Sequence, residues 1–209
     1  MLRVPWTVPM AESPSIANGL VGDDGASRCG WVTAAPLYVA YHDEEWGRPV
    51  HGETALYERI SLEAFQSGLS WLTILRKRQS FRAAFDGFDA ERVARYGEAE
   101  RQRLLADAGI VRNRAKVEAT ITNARAVLEV RDTVDGGLDA LFWSFAPDPA
   151  SRPAPRTLAD VPATTPESVA LAKALKRHGF VFVGPTTAYA AMQACGLVDD
   201  HLVGCVARS

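Results

Sequence analysis

Residues 29–46 contain an unusual concentration of side chains that bind metals or flat ligands. Cys29 and His42 are potential metal ligands, and two tryptophans and two tyrosines lie among them. Tyr and Trp combine a large apolar face with one polar group, so such a cluster suits a ligand with a flat face and polar edges, such as a nucleobase. The same pattern fits half-buried aromatic residues at the rim of a core, with His42 hydrogen-bonded to the backbone. This stretch therefore predicts either a binding site or a rim.

The composition indicates an ordinary globular protein. The 209 residues are 47% hydrophobic and 23% charged, which is enough to bury a substantial core without disulfide bonds. The net charge of -2 gives no overall sign of nucleic-acid binding, so any such surface would be a local patch. Three cysteines without a paired pattern, and no apolar run long enough to span a bilayer, predict a reducing, cytoplasmic compartment.

Two regions with different patterns divide the chain. Residues 1–28 contain prolines and glycines but no helical or alternating period, which predicts a flexible N-terminal extension. Residues 29–209 are predicted to form one helical domain, because apolar residues recur there at helical spacing between turn signals.

Glu63 stands out in the helix predicted for residues 53–68. Leu56 and Ile60 share its side of the helix, and further apolar residues occupy the opposite side, so the helix should be covered on both sides. A carboxylate in that position takes a partner or keeps its proton. Glu63 therefore either faces a ligand pocket as a functional group or forms a salt bridge with an arginine.

Residues 98–131 predict two helices joined by a tight turn. Gly109 would allow a left-handed backbone at the turn, and apolar residues at helical spacing follow it. The pattern resembles a helix-hairpin-helix, in which backbone N–H groups at the turn and at the start of the second helix hold a DNA phosphate. The candidate DNA-binding residues are Gly109, Ile110, Arg112, Arg114 and Lys116.

His201 and Cys205 lie four residues apart near the end of the chain. On one turn of helix they could supply half of a tetrahedral zinc site. The spacing by itself is weak evidence, because such pairs occur by chance in many helices.

Six motifs in order resemble the DNA-3-methyladenine glycosylase I family of bacterial alkylation-repair enzymes. They are RCGWVTAAPLYVAYHDEEWG, LEAFQSGLSWLTIL, LADAGIVRNRAK, FWSF, ALKRHGFVFVG and MQACGLVDDHLVGC, and they extend over about residues 28–206. The resemblance implies an all-α fold of the helix-hairpin-helix DNA glycosylase superfamily, in which one structural zinc joins the N-terminal and C-terminal segments.

The resemblance also assigns roles to individual residues. It implies that residues 29–42 and 201–205 hold the zinc, through the ligands Cys29, His42, His201 and Cys205. It implies that Glu63 and Tyr41 are the catalytic, hydrogen-bonding residues of a base pocket. The base-binding residues would be Trp71, Tyr38, Trp31, Glu63 and Tyr41, with Trp71 stacking on the base.

The activity that the resemblance implies is hydrolytic removal of 3-methyladenine from double-stranded alkylated DNA by a monomer, without a lyase step. Asp199 and Asp200 are candidates for assisting the reaction. Two alternatives stay open. One is a non-catalytic, zinc-stabilised helix-hairpin-helix DNA-binding protein, and the other is a zinc hydrolase that uses His42 with Asp43 or Glu44.

Overall fold

The structure, a computed structural model, describes residues 19–22 and 24–208. It is predominantly helical. The α-helices are α1 (Pro36–Ala40), α2 (Glu53–Gln66), α3 (Trp71–Ala84), α4 (Ala90–Ala94), α5 (Glu98–Ala106), α6 (Arg114–Thr133), α7 (Gly137–Trp143), α8 (Pro166–Arg177) and α9 (Pro185–Ala194). A π-helical turn (Tyr41–Glu45) continues α1, and short 3-10 turns lie at Asp86–Phe88, Pro149–Ser151 and Leu158–Asp160.

A small antiparallel hairpin is the exception to the all-α prediction. It pairs β1 (Gly19–Val21) with β2 (Ser27–Cys29), so the prediction that residues 1–28 are a flexible extension is wrong for these strands. Residues 1–18 of that predicted extension lie outside the described residues. Strand β2 is held by distant partners that a local pattern does not reveal. Arg28 binds Asp43 through Nη2 at 2.8 Å, and Ser27 O accepts from the N–H of Val206 at 2.9 Å.

Helix α2 lies at the centre of the molecule. Every residue from Leu56 to Phe65 is buried, which confirms that the helix is covered on both sides. It packs against α3, α6, α7 and α9. Gly68, at φ 80°, takes the left-handed conformation between α2 and α3, and Ser70 caps α3 by accepting from the N–H of Thr73.

Helix α9 brings the two ends of the domain together. The carbonyl oxygens of Gln193 and Cys195 accept from the N–H groups of Gly47 and Val50, at 3.1 and 3.0 Å. Gly196 follows at φ 73°, and a Cβ there would lie 2.5 Å from the backbone carbon of Arg48, so only glycine fits. Residues 47–50 are thereby fixed against the end of α9. Within the described residues, no helix is both long and apolar enough to cross a lipid bilayer.

Candidate active site

A cavity of about 360 Å³ opens between the aromatic stretch and helices α2, α3 and α9. Its polar lining includes Glu63 and Gln66 from α2 and Gln193 from α9. Leu158 and Val161 close one side from the proline-rich segment between α7 and α8. This volume is in the usual range for a small-molecule site.

Aromatic rings form a large part of the cavity wall. The rings of Tyr41 and Trp71 lie 5.2 Å apart at 46°, and those of Trp31 and Tyr38 lie 5.2 Å apart at 54°. The structure thus brings together all four aromatic residues that the sequence predicted for base binding. Trp46 also lines the cavity, 5.0 Å from Trp31, and was not predicted as a site residue although it ends the same aromatic stretch.

Glu63 lies in the cavity wall with 6% of its surface exposed. Burial raises the pKa of its carboxyl group to about 8, and the positive charge of Arg59 opposes that rise. Among the described residues, no hydrogen bond or ion pair engages the carboxyl group. The alternative prediction, that Glu63 forms a salt bridge with an arginine, is therefore wrong among the described residues. The carboxyl group is available to a ligand.

Tyr41 complements this acid. Its side chain is only 3% exposed, and burial raises the pKa of the hydroxyl well above its ordinary value. The hydroxyl therefore stays neutral at physiological pH and can both donate and accept a hydrogen bond.

The two candidate aspartates have different surroundings. Asp200 lines the cavity, but its carboxylate accepts from Arg152 at 2.9 Å, from Gln193 at 2.8 Å and from the Tyr189 hydroxyl. Asp199 instead accepts from the backbone N–H of His201 at 3.0 Å and contacts its imidazole Nδ1 at 2.9 Å. Asp200 is thus held rigidly in the pocket wall, and Asp199 supports a predicted metal ligand.

Three of the four predicted metal ligands converge. The donor atoms of Cys29, His42 and Cys205 all lie within 4.8 Å of one another. His42 Nε2 is 3.4 Å from Cys205 Sγ. His201 lies beside them with its ring 4.9 Å from that of His42, but its Nε2 is 3.4 Å from the backbone oxygen of His42 and it is outside the converging set.

The chemistry of this three-residue cluster fits a metal site. His42 Nδ1 lies 2.7 Å from Asp43 Oδ1, an arrangement that leaves Nε2 free to bind a metal. Burial raises the pKa of the Cys29 thiol to about 12, so a bound cation would be needed to stabilise a thiolate there. Asp43 is also held by Arg28, which makes it a poor general base and disfavours the zinc-hydrolase alternative.

The predicted DNA-binding hairpin is only partly available. The prediction is wrong for Lys116, which is 6% exposed and donates from Nζ to the backbone oxygens of Phe65 at 2.7 Å and Ser67 at 2.5 Å. Its charge therefore satisfies the carbonyl end of α2 and does not face solvent. Arg112 and Arg114 are exposed, as a phosphate-binding role requires.

The turn itself also differs from the prediction. Gly109 does not take a left-handed conformation, and its N–H donates to Asp107 Oδ1 at 2.7 Å. Glycine is needed there for space, because a Cβ would lie 2.9 Å from that oxygen and 3.1 Å from Ser80 Cβ. Ile110 is 3% exposed and belongs to the core.

A second hairpin, which the sequence reasoning did not single out, joins α8 to α9 through residues 178–184. Asn123 of α6 fixes it by accepting from the N–H of Val181 at 2.8 Å and donating to the oxygen of the same residue at 3.1 Å. Phe182 is 43% exposed at its tip. No side chain caps the start of α9, and this helix continues to the cavity wall. The glycines and proline of RHGFVFVGP are the sequence signal for this turn.

These features define a class of protein. A helical framework encloses a cavity with aromatic walls and a buried, unpaired carboxyl group, and exposed basic and glycine-rich turns lie in the same domain. Such a protein is suited to holding a flat heterocycle, such as a nucleobase, that carries positive charge.

Comparisons with known proteins agree with this description. The family model described as Methyladenine glycosylase matches residues 31–208. The chain is 49% identical over 178 residues to DNA-3-methyladenine glycosylase 1 of Escherichia coli (strain K12), covering 85% of this chain and 95% of that protein. A crystal structure of 3-methyladenine DNA glycosylase I has a TM-score of 0.81 and 46% identity, covering 87% of this chain and all 100% of the other.

A further structure, described as the basis of 3-methyladenine recognition by 3-methyladenine DNA glycosylase I from Staphylococcus aureus, has a TM-score of 0.79 and 33% identity. That match covers 85% of this chain and 94% of the other. The chain belongs to the methyladenine glycosylase family. The resemblance and the enzyme class predicted from the sequence motifs are thus confirmed.

Proposed function

We propose that this protein flips 3-methyladenine out of alkylated double-stranded DNA into the aromatic cavity and hydrolyses its N-glycosidic bond. The observation that carries this proposal is the position of Glu63, which is buried, unpaired among the described residues and on the wall of a cavity lined by Trp71 and Tyr41. The similar structure from Staphylococcus aureus, which is described as the basis of 3-methyladenine recognition, supports the choice of base.

The chemistry demands little of the protein beyond extraction and selective binding. Methylation at N3 gives the adenine ring a positive charge, so the base leaves with the electron pair of the C1′–N9 bond as a neutral molecule. Water then adds to the sugar cation at C1′ and loses a proton. Flipping costs a few kcal/mol, and stacking on Trp71 returns about 1–3 kcal/mol.

Glu63 and Tyr41 are proposed to select the damaged base. An ionised Glu63 attracts the cationic ring and accepts from its exocyclic amine, whereas neutral adenine gains less from the same carboxylate. The neutral hydroxyl of Tyr41 supplies a donor or acceptor beside it. Trp31 and Tyr38 complete the wall on which the base packs.

No side-chain base is assigned to the attacking water. Asp200 faces the cavity, but Arg152, Tyr189 and Gln193 occupy its carboxylate. We therefore assign Asp200 to the shape of the pocket wall and propose a reaction without a covalent lysine intermediate and without strand cleavage.

The proposed DNA surface combines the two hairpins. Arg112 and Arg114 would contact phosphates beside the first hairpin, with Gly109 and Ile110 shaping the turn. The uncapped N-terminus of α9 offers backbone N–H groups to a phosphate at the second. Leu69, which is 40% exposed after the turn at Gly68, is proposed to fill the space that the flipped base leaves.

We propose that one structural zinc is bound by Cys29, His42, His201 and Cys205. Three donor atoms already converge, and Asp199 and Asp43 orient the two imidazoles. With four protein ligands the site would be closed, so the zinc would stabilise the fold and supply no chemistry to the reaction. The cytoplasmic location that the cysteine pattern indicates stays a prediction. The monomeric state stays a prediction as well.

A base-release assay tests the proposal. It measures, by chromatography, how much faster than the spontaneous rate the protein releases free 3-methyladenine from methylated duplex DNA. Glu63→Gln should lower kcat/KM by about 10–100-fold, because a hydrogen bond to a charged group is lost. Glu53→Gln is the matched control, since it makes the same change on the same helix in a surface pair with Arg131. A wild-type protein that bound DNA but released no base would instead support the non-catalytic DNA-binding alternative.

A further inference from the structure

Arg59 is a buried arginine on α2, one helical turn before Glu63. Its Nη2 donates to Glu45 Oε2 at 2.7 Å. Its Nη1 is buried and has no hydrogen-bond partner among the described residues. A buried guanidinium N–H without a partner costs free energy, so its position calls for a functional explanation.

The helix places Arg59 and Glu63 beside each other. Residues four apart share one face, with Cβ atoms about 5–6 Å apart. Helical side chains lean toward the N-terminus, so the side chain of Glu63 lies over the turn that contains Arg59. Nη1 is shielded from solvent and Arg59 is not one of the residues that line the cavity, so we expect the guanidinium to act on a bound base only through its neighbours.

The ion-pair network around Arg59 carries a surplus of positive charge. Glu45 pairs with Arg59 and Arg78, and Glu58 pairs with Arg78 and Arg82. Three guanidinium groups against two carboxylates leave one positive charge unmatched. The carboxyl group of Glu63, one turn along the same helix from Arg59, has no ion-pair partner among the described residues.

We propose that Arg59 is a positioning residue for the glycosylase reaction, anchored by Glu45 so that its surplus charge favours the ionised form of the Glu63 carboxyl group, which attracts the cationic base. The inference rests on the proposed role of Glu63 and extends it to a residue that does not touch the substrate. The direction of the charge effect agrees with this geometry, since burial raises the pKa of Glu63 and Arg59 lowers it.

The other groups that face Glu63 do not replace Arg59. Tyr38 and Tyr41 present neutral hydroxyl groups, and burial raises the pKa of both. Cys195 at the end of α9 is a buried thiol whose pKa is raised to about 12. Asp200 on the far wall is matched by Arg152. Arg59 is therefore the cation, among the described residues, that acts on this carboxyl group.

The test is the pH profile of kcat/KM for base release between about pH 5 and about pH 10, with spontaneous release subtracted. In Arg59→Met the acidic limb should move to higher pH by about one unit or more, while the plateau at high pH is retained. Arg59→Lys keeps the charge and should restore the limb. Glu45→Gln keeps a side-chain oxygen that can accept from Arg59 Nη2 and removes an opposing negative charge, so it should leave the limb in place or move it to lower pH.

A second measurement does not depend on turnover. Titration of the Glu63 side-chain carboxyl carbon by NMR, in protein labelled at glutamate, should give a higher midpoint in Arg59→Met than in wild type. The inference would be overturned if Arg59→Met moved neither the acidic limb of the kcat/KM profile nor the midpoint of the Glu63 titration. It would also be overturned if Arg59→Met lowered kcat/KM by the same factor at every pH. Either result would mean that Arg59 has only a packing role. Glu63→Gln separates the two hypotheses, because an acidic limb that persists in this variant contradicts the proposed role of Glu63 itself.

Discussion

Replacing Glu63 with glutamine should stabilise the folded protein at neutral and alkaline pH. Burial in the cavity raises the pKa of this carboxyl group from an ordinary 4.5 to about 8. Between those two values the unfolded chain is ionised while the folded protein still binds the proton. The folded state binds more protons than the unfolded state there, so the free energy of unfolding falls as pH rises.

The size of the effect follows from the same two values. Each tenfold change in proton affinity corresponds to about 1.4 kcal/mol, so a pKa raised from 4.5 to about 8 costs up to about 5 kcal/mol above pH 8. Below pH 4.5 the cost vanishes, because both states are protonated. The advantage of Glu63→Gln over wild type should therefore grow by roughly 3–4 kcal/mol between about pH 5 and about pH 8, and then level off.

Urea unfolding of both proteins at a series of pH values, followed by tryptophan fluorescence, measures this difference. Other titrating groups are common to both proteins and cancel in the subtraction. Glu53→Gln is again the control, and its difference from wild type should not show the same rise between about pH 5 and about pH 8, because Glu53 lies in a surface pair with Arg131. A Glu63→Gln difference that does not change with pH would refute the reasoning, since it would mean that the cavity solvates the carboxylate as well as water does.

Four further substitutions test the pocket, the end of α2 and the DNA surface. Trp71→Ala should weaken binding of free 3-methyladenine by about 10–100-fold, measured by calorimetry, because a stacking surface is lost. Lys116→Met should lower the free energy of unfolding, measured in urea, by about 1–3 kcal/mol, because two carbonyls at the end of α2 lose their donor. Arg114→Ala should instead weaken DNA binding and reduce its salt dependence, without loss of stability. Asp200→Asn should lower the melting temperature but keep base release within about tenfold of wild type, since a catalytic base would contribute about 100-fold or more.

Helix ends were predictable because their signals are local. Thr165 and Pro166 mark the start of α8, and Gly179, at φ 85°, follows its end, as the sequence indicated. Ser70 caps α3 for the same reason. The burial of both sides of α2, and with it the exceptional position of Glu63, could also be read from the spacing of apolar residues.

Contacts between distant segments were not predictable in this way. A lysine after a glycine turn has the same local pattern whether it faces a phosphate or, like Lys116, the end of a helix about fifty residues earlier. The strand Ser27–Cys29 is held partly by Val206, so no pattern within residues 1–28 could reveal it. The cavity wall at Leu158 and Val161 comes from a proline-rich segment whose path depends on tertiary contacts.

The proposed metal ligands and the cavity share a wall, so the proposed zinc should matter for base binding although it would take no part in the chemistry. Trp31 lies 5.1 Å from the ring of His42, Trp46 lies 4.6 Å from the ring of His201, and both tryptophans line the cavity. Removing the proposed zinc would free the two buried imidazoles beside those rings.

Chelation, or the substitution Cys205→Ser, should therefore lower thermal stability and weaken 3-methyladenine binding together, by about tenfold or more. Metal content by mass spectrometry and affinity by calorimetry measure the two effects on the same samples. Cys195→Ala is the control for loss of a buried thiol, since Cys195 is outside the cluster and this variant should keep its zinc. If metal-free protein stayed folded and bound the base with unchanged affinity, the tryptophans would be held by their own packing, and the shared wall would not couple the two sites.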